Sequence, residues 1–361
     1  MKKCIFAVFV CAVTTVLILS GCVFSKNPSP TPAGNADNSS ASQQTSSAAE
    51  STDKTENEEN SQPEQAVINR PTDNRPDTAG SNAELTAPTG KQGEFFYYCF
   101  ALLSDTQKNY YNKILSAAQG IQRMPIKMAA AGEDEKFYDN ISAAFGAVAA
   151  DHPELFWLDG EFTMRSGSIS GVTVTLSYIY NNDSDIYSKR AELETAVSKI
   201  IASAQNRSCF EKEVFFHDFL CKNVVYNNTQ TTTDEDYTVY GALVKGTAVC
   251  EGYAEAFQLL LNKCGINCIT VRGLGDGAPH MWNMLELDGD WYGTDVTWDG
   301  AGNNISYKFF NITDEKMRQR HTAFDQTDTR TADFTMPDGM NFNFLLPECK
   351  ANYYNADQKR Y

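Results

Sequence analysis

Tyr240-Gly-Ala-Leu-Val-Lys-Gly-Thr-Ala-Val-Cys250-Glu-Gly-Tyr-Ala-Glu-Ala-Phe-Gln-Leu-Leu-Leu261 is the stretch on which the fold turns. After Cys250 the apolar residues recur at helical spacing, so that Tyr253, Phe257, Leu260, Leu261 and Cys264 share one face. Gly265 follows the last periodic residue, where a helix commonly stops. The spacing therefore predicts a helix that begins at Cys250. A cysteine at that position meets free backbone N–H groups and the positive end of the helix dipole, both of which favour a thiolate. The same N–H groups can stabilise an oxyanion formed beside the sulfur.

Thirty residues later comes His280-Met-Trp-Asn-Met-Leu-Glu-Leu287, then Asp288-Gly289, then Asp290-Trp-Tyr-Gly-Thr-Asp295-Val-Thr-Trp-Asp299. Two strand-like runs around Asp-Gly predict a hairpin. A two-residue turn pairs Leu287 with Asp290 and sets His280 opposite Thr297. Asp295 and Asp299 are then the diagonal neighbours of His280, about 7–8 Å away by Cα. Either acid is within reach of the imidazole, and pairing geometry does not choose. Cysteine, histidine and carboxylate suit thiol acyl transfer: the imidazole activates the thiol and later protonates the leaving amine, while the acid orients the ring.

The runs Gly246-Thr-Ala-Val-Cys250-Glu-Gly-Tyr-Ala254, His280-Met-Trp-Asn283 and Asp295-Val-Thr-Trp-Asp299 resemble the bacterial transglutaminase-like core, a papain-like cysteine fold. Phe216-His217-Asp218-Phe219-Leu220 with Tyr226 is similar to the helix that precedes that core. The resemblance covers about a quarter of the chain. It implies an α+β head whose nucleophile helix packs on an antiparallel sheet, with Cys250 as nucleophile, His280 as base and acid, and Asp295 as orienting residue. On the same grounds Asp299 is expected to be a turn residue. Tyr240, ten residues before the nucleophile, is a candidate second oxyanion donor. His152, His217 and His321 lack such surroundings, and His217 is expected to pack or hydrogen-bond locally within its helix. Trp282, Trp291 and Trp298 read as core or cleft-lining aromatics.

No cofactor or metal is expected. Asp288-Gly-Asp290-Trp-Tyr-Gly293 begins like a calcium loop, but Tyr292 and Asp299 occupy the fifth and twelfth positions, where oxygen donors ending in glutamate are needed. Cys264 and Cys268 lack a second Cys/His pair at zinc spacing. Cys99, Cys209, Cys221, Cys264, Cys268 and Cys349 permit fifteen full pairings, among which the sequence does not choose.

Residues 93–205 read as helix, helix, strands, helix, a supporting α/β region. Tyr110, Tyr111, Ile114 and Leu115 mark one helical face and Ile141, Phe145 and Val148 another. Asp151-His152-Pro153 is a helix stop, Val172 to Tyr180 alternates as a strand, and Glu192 to Ala204 returns to helical spacing. The transglutaminase-like domain is placed at 206–325, and 326–361 is expected to pack on the head as a C-terminal extension.

Residues 23–92 hold one aromatic, Phe24, and seven of the twelve prolines. Such a chain has too little apolar surface to offset its ordering entropy, and is expected to be a disordered tether spanning about 45 Å. Before it, Lys2 and Lys3 precede an apolar run from Cys4 to Leu19, and residues 1–21 read as a signal peptide. Leu19-Ser20-Gly21-Cys22 resembles a bacterial lipobox, which implies lipidation of Cys22 and an extracytoplasmic, membrane-anchored protein. Two acyl chains give stable anchoring. The 30 basic and 46 acidic residues give a net charge of −16, which argues against a nucleic-acid partner. The expected function is a thiol enzyme acting on a protein or peptide substrate, with cell-wall material among the candidates. The competing class is a non-catalytic binding lipoprotein that keeps the fold.

Overall fold

The computed structural model describes residues 17–19, 96–130, 136–167, 171–229, 231–301, 304–324 and 344–355. Cys22, the tether at 23–92, most of the signal segment and much of 326–361 lie outside the described residues.

The N-terminal part of the head is a helical layer against an antiparallel sheet. Strand β1 (Leu17–Leu19), which falls in the segment expected to be a signal peptide, pairs with β3 at one edge. Helices α1 (Tyr98–Leu102) and α2 (Asp105–Gln119) follow. A capping box starts α2: Ser104 Oγ accepts from Gln107 N–H, and the Gln107 side chain accepts from Ser104 N–H. Strand β2 (Ile126–Ala129), helix α3 (Phe137–Asp151), strands β3 (Leu158–Gly167) and β4 (Gly171–Tyr178) and helix α4 (Asp183–Ala202) complete the region. The sheet order is β1-β3-β4-β2, antiparallel throughout. Tyr110, Tyr111, Ile114, Ile141, Phe145 and Val148 are buried together, as their spacing predicts. Helix α4 begins nine residues before Glu192, because Asp183 and Asp185 favour its first turn and its exposed face hides the period.

Asp151 ends α3 and ties it to α1. Its carboxylate accepts N–H bonds from Cys99 (2.9 Å) and Phe100 (2.8 Å) and the Tyr111 hydroxyl at 3.3 Å. Burial raises its pKa to about 6 against the pull of those bonds.

The second half opens with α5 (Cys209–Asn223), begun by a Ser208/Glu211 capping box. A parallel pair follows, β5 (Val225–Tyr226) with β6 (Thr247–Ala248). Between them run a 3₁₀ turn, Asp234–Tyr237, and a π-helical turn, Gly241–Lys245. Helix α6 (Cys250–Lys263) leads to β7 (Cys268–Gly275), β8 (Ala278–Leu287), β9 (Asp290–Thr294) and the one-turn α7 (Val296–Asp299). Last come α8 (Asp314–Met317) and β10 (His321–Ala323). The second sheet runs β10-β7-β8-β9, again antiparallel. The architecture is thus α+β, with the Cys250 helix packed on an antiparallel sheet.

Asp288 (φ 53°) and Gly289 (φ 85°) form the two-residue turn of the β8–β9 hairpin, and Leu287 pairs with Asp290. The ladder then stops at Asn283–Thr294, so His280 has no partner on β9 and the expected His280–Thr297 pairing does not form. The chain leaves the sheet at Asp295, whose N–H donates to Phe309 O and whose side chain caps α7. On its other side β8 is paired with β7, where Gly273 faces His280.

The six cysteines left open by sequence are free thiols. Cys349, 1% exposed, exchanges bonds with Asp314: its N–H donates to Oδ2 and its carbonyl accepts the Asp314 N–H. Tyr98 Oη donates to Leu345 O at 2.6 Å, so residues 344–355 touch both halves of the head.

Candidate active site

Helix α6 starts without a side-chain cap. Its N-cap is Val249, whose N–H is taken by Asp236 O, so the first-turn N–H groups that follow are left for other acceptors. The loop at 236–238 lies directly on that turn. A Cβ on Gly252 would sit 2.9 Å from the carbonyl oxygens of both Asp236 and Thr238, which explains a glycine two residues after the cysteine. Cys250, 4% exposed, packs with Ala254 and Met281, and Tyr226 and Tyr237 cover this cluster.

Strand β8 supplies the next groups. Asn283, fully buried, donates to Ala254 O on α6 at 2.9 Å and to Ile269 O on β7 at 3.3 Å. This amide stitches the helix to the sheet and so fixes the distance between their functional side chains. Three residues earlier, His280 Nε2 meets Asp295 Oδ2 at 2.7 Å. Nε2 is committed to the acid, and the Cys250 sulfur is near enough to act on the charge of the ring. Burial disfavours the charged ring. The Asp295 charge, its hydrogen bond and the sulfur outweigh that and raise the His280 pKa to about 10.

Asp295 is fully buried. Burial pushes its carboxyl up, yet the facing His280 and the hydrogen bonds from His280 and His321 pull it well below the usual carboxylate range. Its Oδ1 accepts the Trp298 N–H at 3.1 Å and its Oδ2 accepts His321 Nε2 at 2.9 Å. His321 is a partner that its sequence surroundings do not announce. Strand β10 brings it in beside β7, opposite Gly275. Among the described residues, His280, Asp295 and His321 place one donor atom each within 4.8 Å of one another. The two hydrogen bonds to Asp295 account for that closeness.

Asp299 is turned away from His280. Its carboxylate accepts the Phe309 N–H at 3.1 Å and lies 3.4 Å from Nε2 of the buried His217. His217 Nδ1 bonds Asp218 Oδ1 at 3.1 Å. Tyr240, the candidate oxyanion donor, donates its hydroxyl to Glu192 Oε2 at 2.6 Å and stacks on Phe156. That hydroxyl is engaged with α4, and its stacking and its bond serve to join the two halves of the head. Trp282 and Trp298 flank His280, with ring centroids at 6.2 and 5.2 Å, whereas Trp291 packs edge-on to Tyr98.

Residues 194–296 match the family described as the transglutaminase-like superfamily. The matched span begins inside α4 and ends at the first residue of α7. The chain is 23% identical over 180 residues to kyphoscoliosis peptidase of Homo sapiens, covering 45% of this chain and 26% of that protein. It is 29% identical over 111 residues to kyphoscoliosis peptidase of Mus musculus, covering 27% and 16%. The chain thus spans about a quarter or less of the length of these curated relatives. Two solved structures are similar over part of the chain. One is the crystal structure of a TGase, 18% identical with a TM-score of 0.28, covering 44% of this chain and 49% of that one. The other is the periplasmic domain of TgpA from Pseudomonas aeruginosa bound to ethylmercury, 16% identical with a TM-score of 0.24, covering 39% and 60%.

Proposed function

We propose that the transglutaminase-like domain of this chain is a thiol enzyme that attacks peptide or glutamine-type amides through a thioester on Cys250. The observation that carries this reading is the 2.7 Å hydrogen bond of His280 to the buried Asp295, with the Cys250 sulfur among the groups that raise the same imidazole's pKa.

The steps follow from that geometry. His280 holds the thiol proton as an imidazolium, stabilised by Asp295, and the sulfur attacks the amide carbon. The oxygen that gains the electron pair is met by the N–H of Cys250 at the open start of α6. His280 returns the proton to the departing amine or ammonia, leaving a thioester. Water or a second amine, deprotonated by His280, then releases the acyl group. Water makes the reaction hydrolysis, and an amine makes it cross-linking.

The head works outside the cytoplasm, held to the bacterial cell membrane by lipid on Cys22 and spaced from it by residues 23–92. Among the described residues, no helix is long and apolar enough to cross a membrane. The substrate is a protein or peptide at or near the cell wall.

Alkylation of the full-length protein by iodoacetamide tests the chemistry, with Cys250 followed on its own peptide by mass spectrometry because other thiols are present. Labelling below the ordinary thiol pKa of about 8.5 that is lost in His280→Ala supports the reading. Cys250 inert in that range, or indifferent to His280, sinks it. Ammonia release against cross-link formation from glutamine peptides separates hydrolase from transferase. Loss of membrane partitioning in Cys22→Ala tests the anchor.

A further inference from the structure

The Asp295 carboxylate receives three hydrogen bonds: His280 Nε2 and His321 Nε2 on Oδ2, and Trp298 N–H on Oδ1. Two of these come from within or just beside the matched family span. The third comes from His321, 25 residues beyond its end. Its imidazole is fully buried, with ring centroids 4.3 Å from Trp298, 4.9 Å from Trp282, and 5.4 Å from Phe309 and His280. Its Nδ1 is buried and has no hydrogen-bond partner among the described residues.

That arrangement assigns the tautomer. An ionised carboxylate can only accept, so Nε2 of His321 carries a proton. A second proton on Nδ1 would place an unpaired N–H and a full charge inside a ring of aromatics, which is costly. His321 is therefore neutral, with a bare Nδ1 lone pair. A neutral donor satisfies Asp295 without cancelling the charge that His280 needs.

We propose that His321 is a positioning residue of this site: as a neutral imidazole it donates Nε2–H to Asp295 Oδ2 and holds that carboxylate in the orientation that meets His280. The proposal rests on the thiol-enzyme reading of Cys250 and His280. Without the donor, Oδ2 is under-satisfied in a buried place, and the carboxylate is free to turn toward other donors. A charged neighbour of this triangle is the Asp276–Arg320 ion pair, whose arginine immediately precedes β10. Arg320 lies over the Trp298 ring at 4.5 Å, which closes the aromatic box from outside. The geometry is built for this contact. A Cβ on Gly275, the β7 partner of His321, would sit 2.8 Å from Trp298 Cζ2 and 3.0 Å from His280 Cδ2.

Two variants of the full-length chain test the proposal. His321→Gln keeps an N–H donor near the Nε2 position, whereas His321→Leu keeps apolar volume and no donor. Iodoacetamide alkylation of Cys250 is measured between about pH 5 and 9, the range in which imidazoles act. The Nε2–H resonance of His280 is followed in histidine-labelled protein by NMR. The expected result is a fall of about 10- to 100-fold in the alkylation rate for His321→Leu, with loss or shift of the His280 Nε2–H signal, and recovery of both in His321→Gln. Equal behaviour of the two variants, or an unchanged His280 signal in His321→Leu, overturns the proposal and leaves His321 as filler of the aromatic box. If wild-type Cys250 is unreactive and indifferent to His280, the enzyme reading fails, while the NMR comparison still decides what His321 does to Asp295.

Discussion

Asp295 and Asp299 stand at the two ends of one helical turn and hold different histidines. Asp295 takes His280 and His321, and Asp299 takes His217 from α5. The backbone bond from Asp299 N–H to Asp295 O couples them, but their carboxylates point apart. Diagonal pairing across a hairpin would have left both acids near His280. The helical turn separates them.

Asp295→Asn and Asp299→Asn are therefore expected to fail differently. The first keeps the α7 cap but removes the charge that supports imidazolium, and lowers Cys250 alkylation by about 10²–10⁴-fold. The second leaves that rate near wild type and costs about 1–3 kcal/mol of stability, because the amide keeps only one acceptor oxygen for the buried Phe309 N–H and His217 and turns a donor toward the other. Alkylation rate and urea unfolding on each variant separate the two.

Stability should decline on the alkaline side. His280 is raised to about 10 in the folded chain, above an ordinary histidine near 6.5. Its contribution is then complete below about pH 6.5 and is lost as pH rises through 10. Melting temperature against pH should show this loss in the wild type and a flatter profile in His280→Ala. An equally steep alkaline loss in that variant would refute the assignment.

Gly275→Ala places a methyl against the rings of His280 and Trp298. Alkylation of Cys250 should drop by at least about tenfold as the imidazole is displaced. Gly265→Ala, where nothing lies within 4 Å but φ is 76°, serves as the contrast. It should cost about 1 kcal/mol through backbone strain and leave alkylation unchanged.

Tyr240→Phe removes the bond to Glu192 Oε2 and nothing at the sulfur. The expected cost is about 1 kcal/mol in unfolding free energy, with alkylation and any amide turnover preserved. A large loss of turnover with unchanged stability would restore Tyr240 as an oxyanion donor.

The cysteine helix and the turn of the hairpin were legible because each is local. Period 3.6 after Cys250 and an Asp-Gly pair between strand-like runs leave few alternatives. Helix α4 was half legible, since its first turns face solvent and carry no apolar stripe. The carboxylate was ambiguous because a ladder extrapolated past Thr294 knows nothing of the Phe309 carbonyl that captures Asp295 N–H. His321 was illegible for a related reason. A three-residue strand after a short helix has no pattern, and only the distant pairing of β10 with β7 gives its histidine a role. Asn283 lay within a motif, but that its amide fastens α6 to the sheet is visible only in three dimensions.

The pairing of β10 with β7 also sets an order of events. His321 emerges from synthesis 26 residues after the acid it binds and 71 after the thiol. It must close a loop of about 45 residues to reach Gly275, the slow kind of contact in folding. The cysteine helix and the β8–β9 hairpin are built from near neighbours and can form before it. His321 is therefore the most distant in sequence of the three donors to the Asp295 carboxylate.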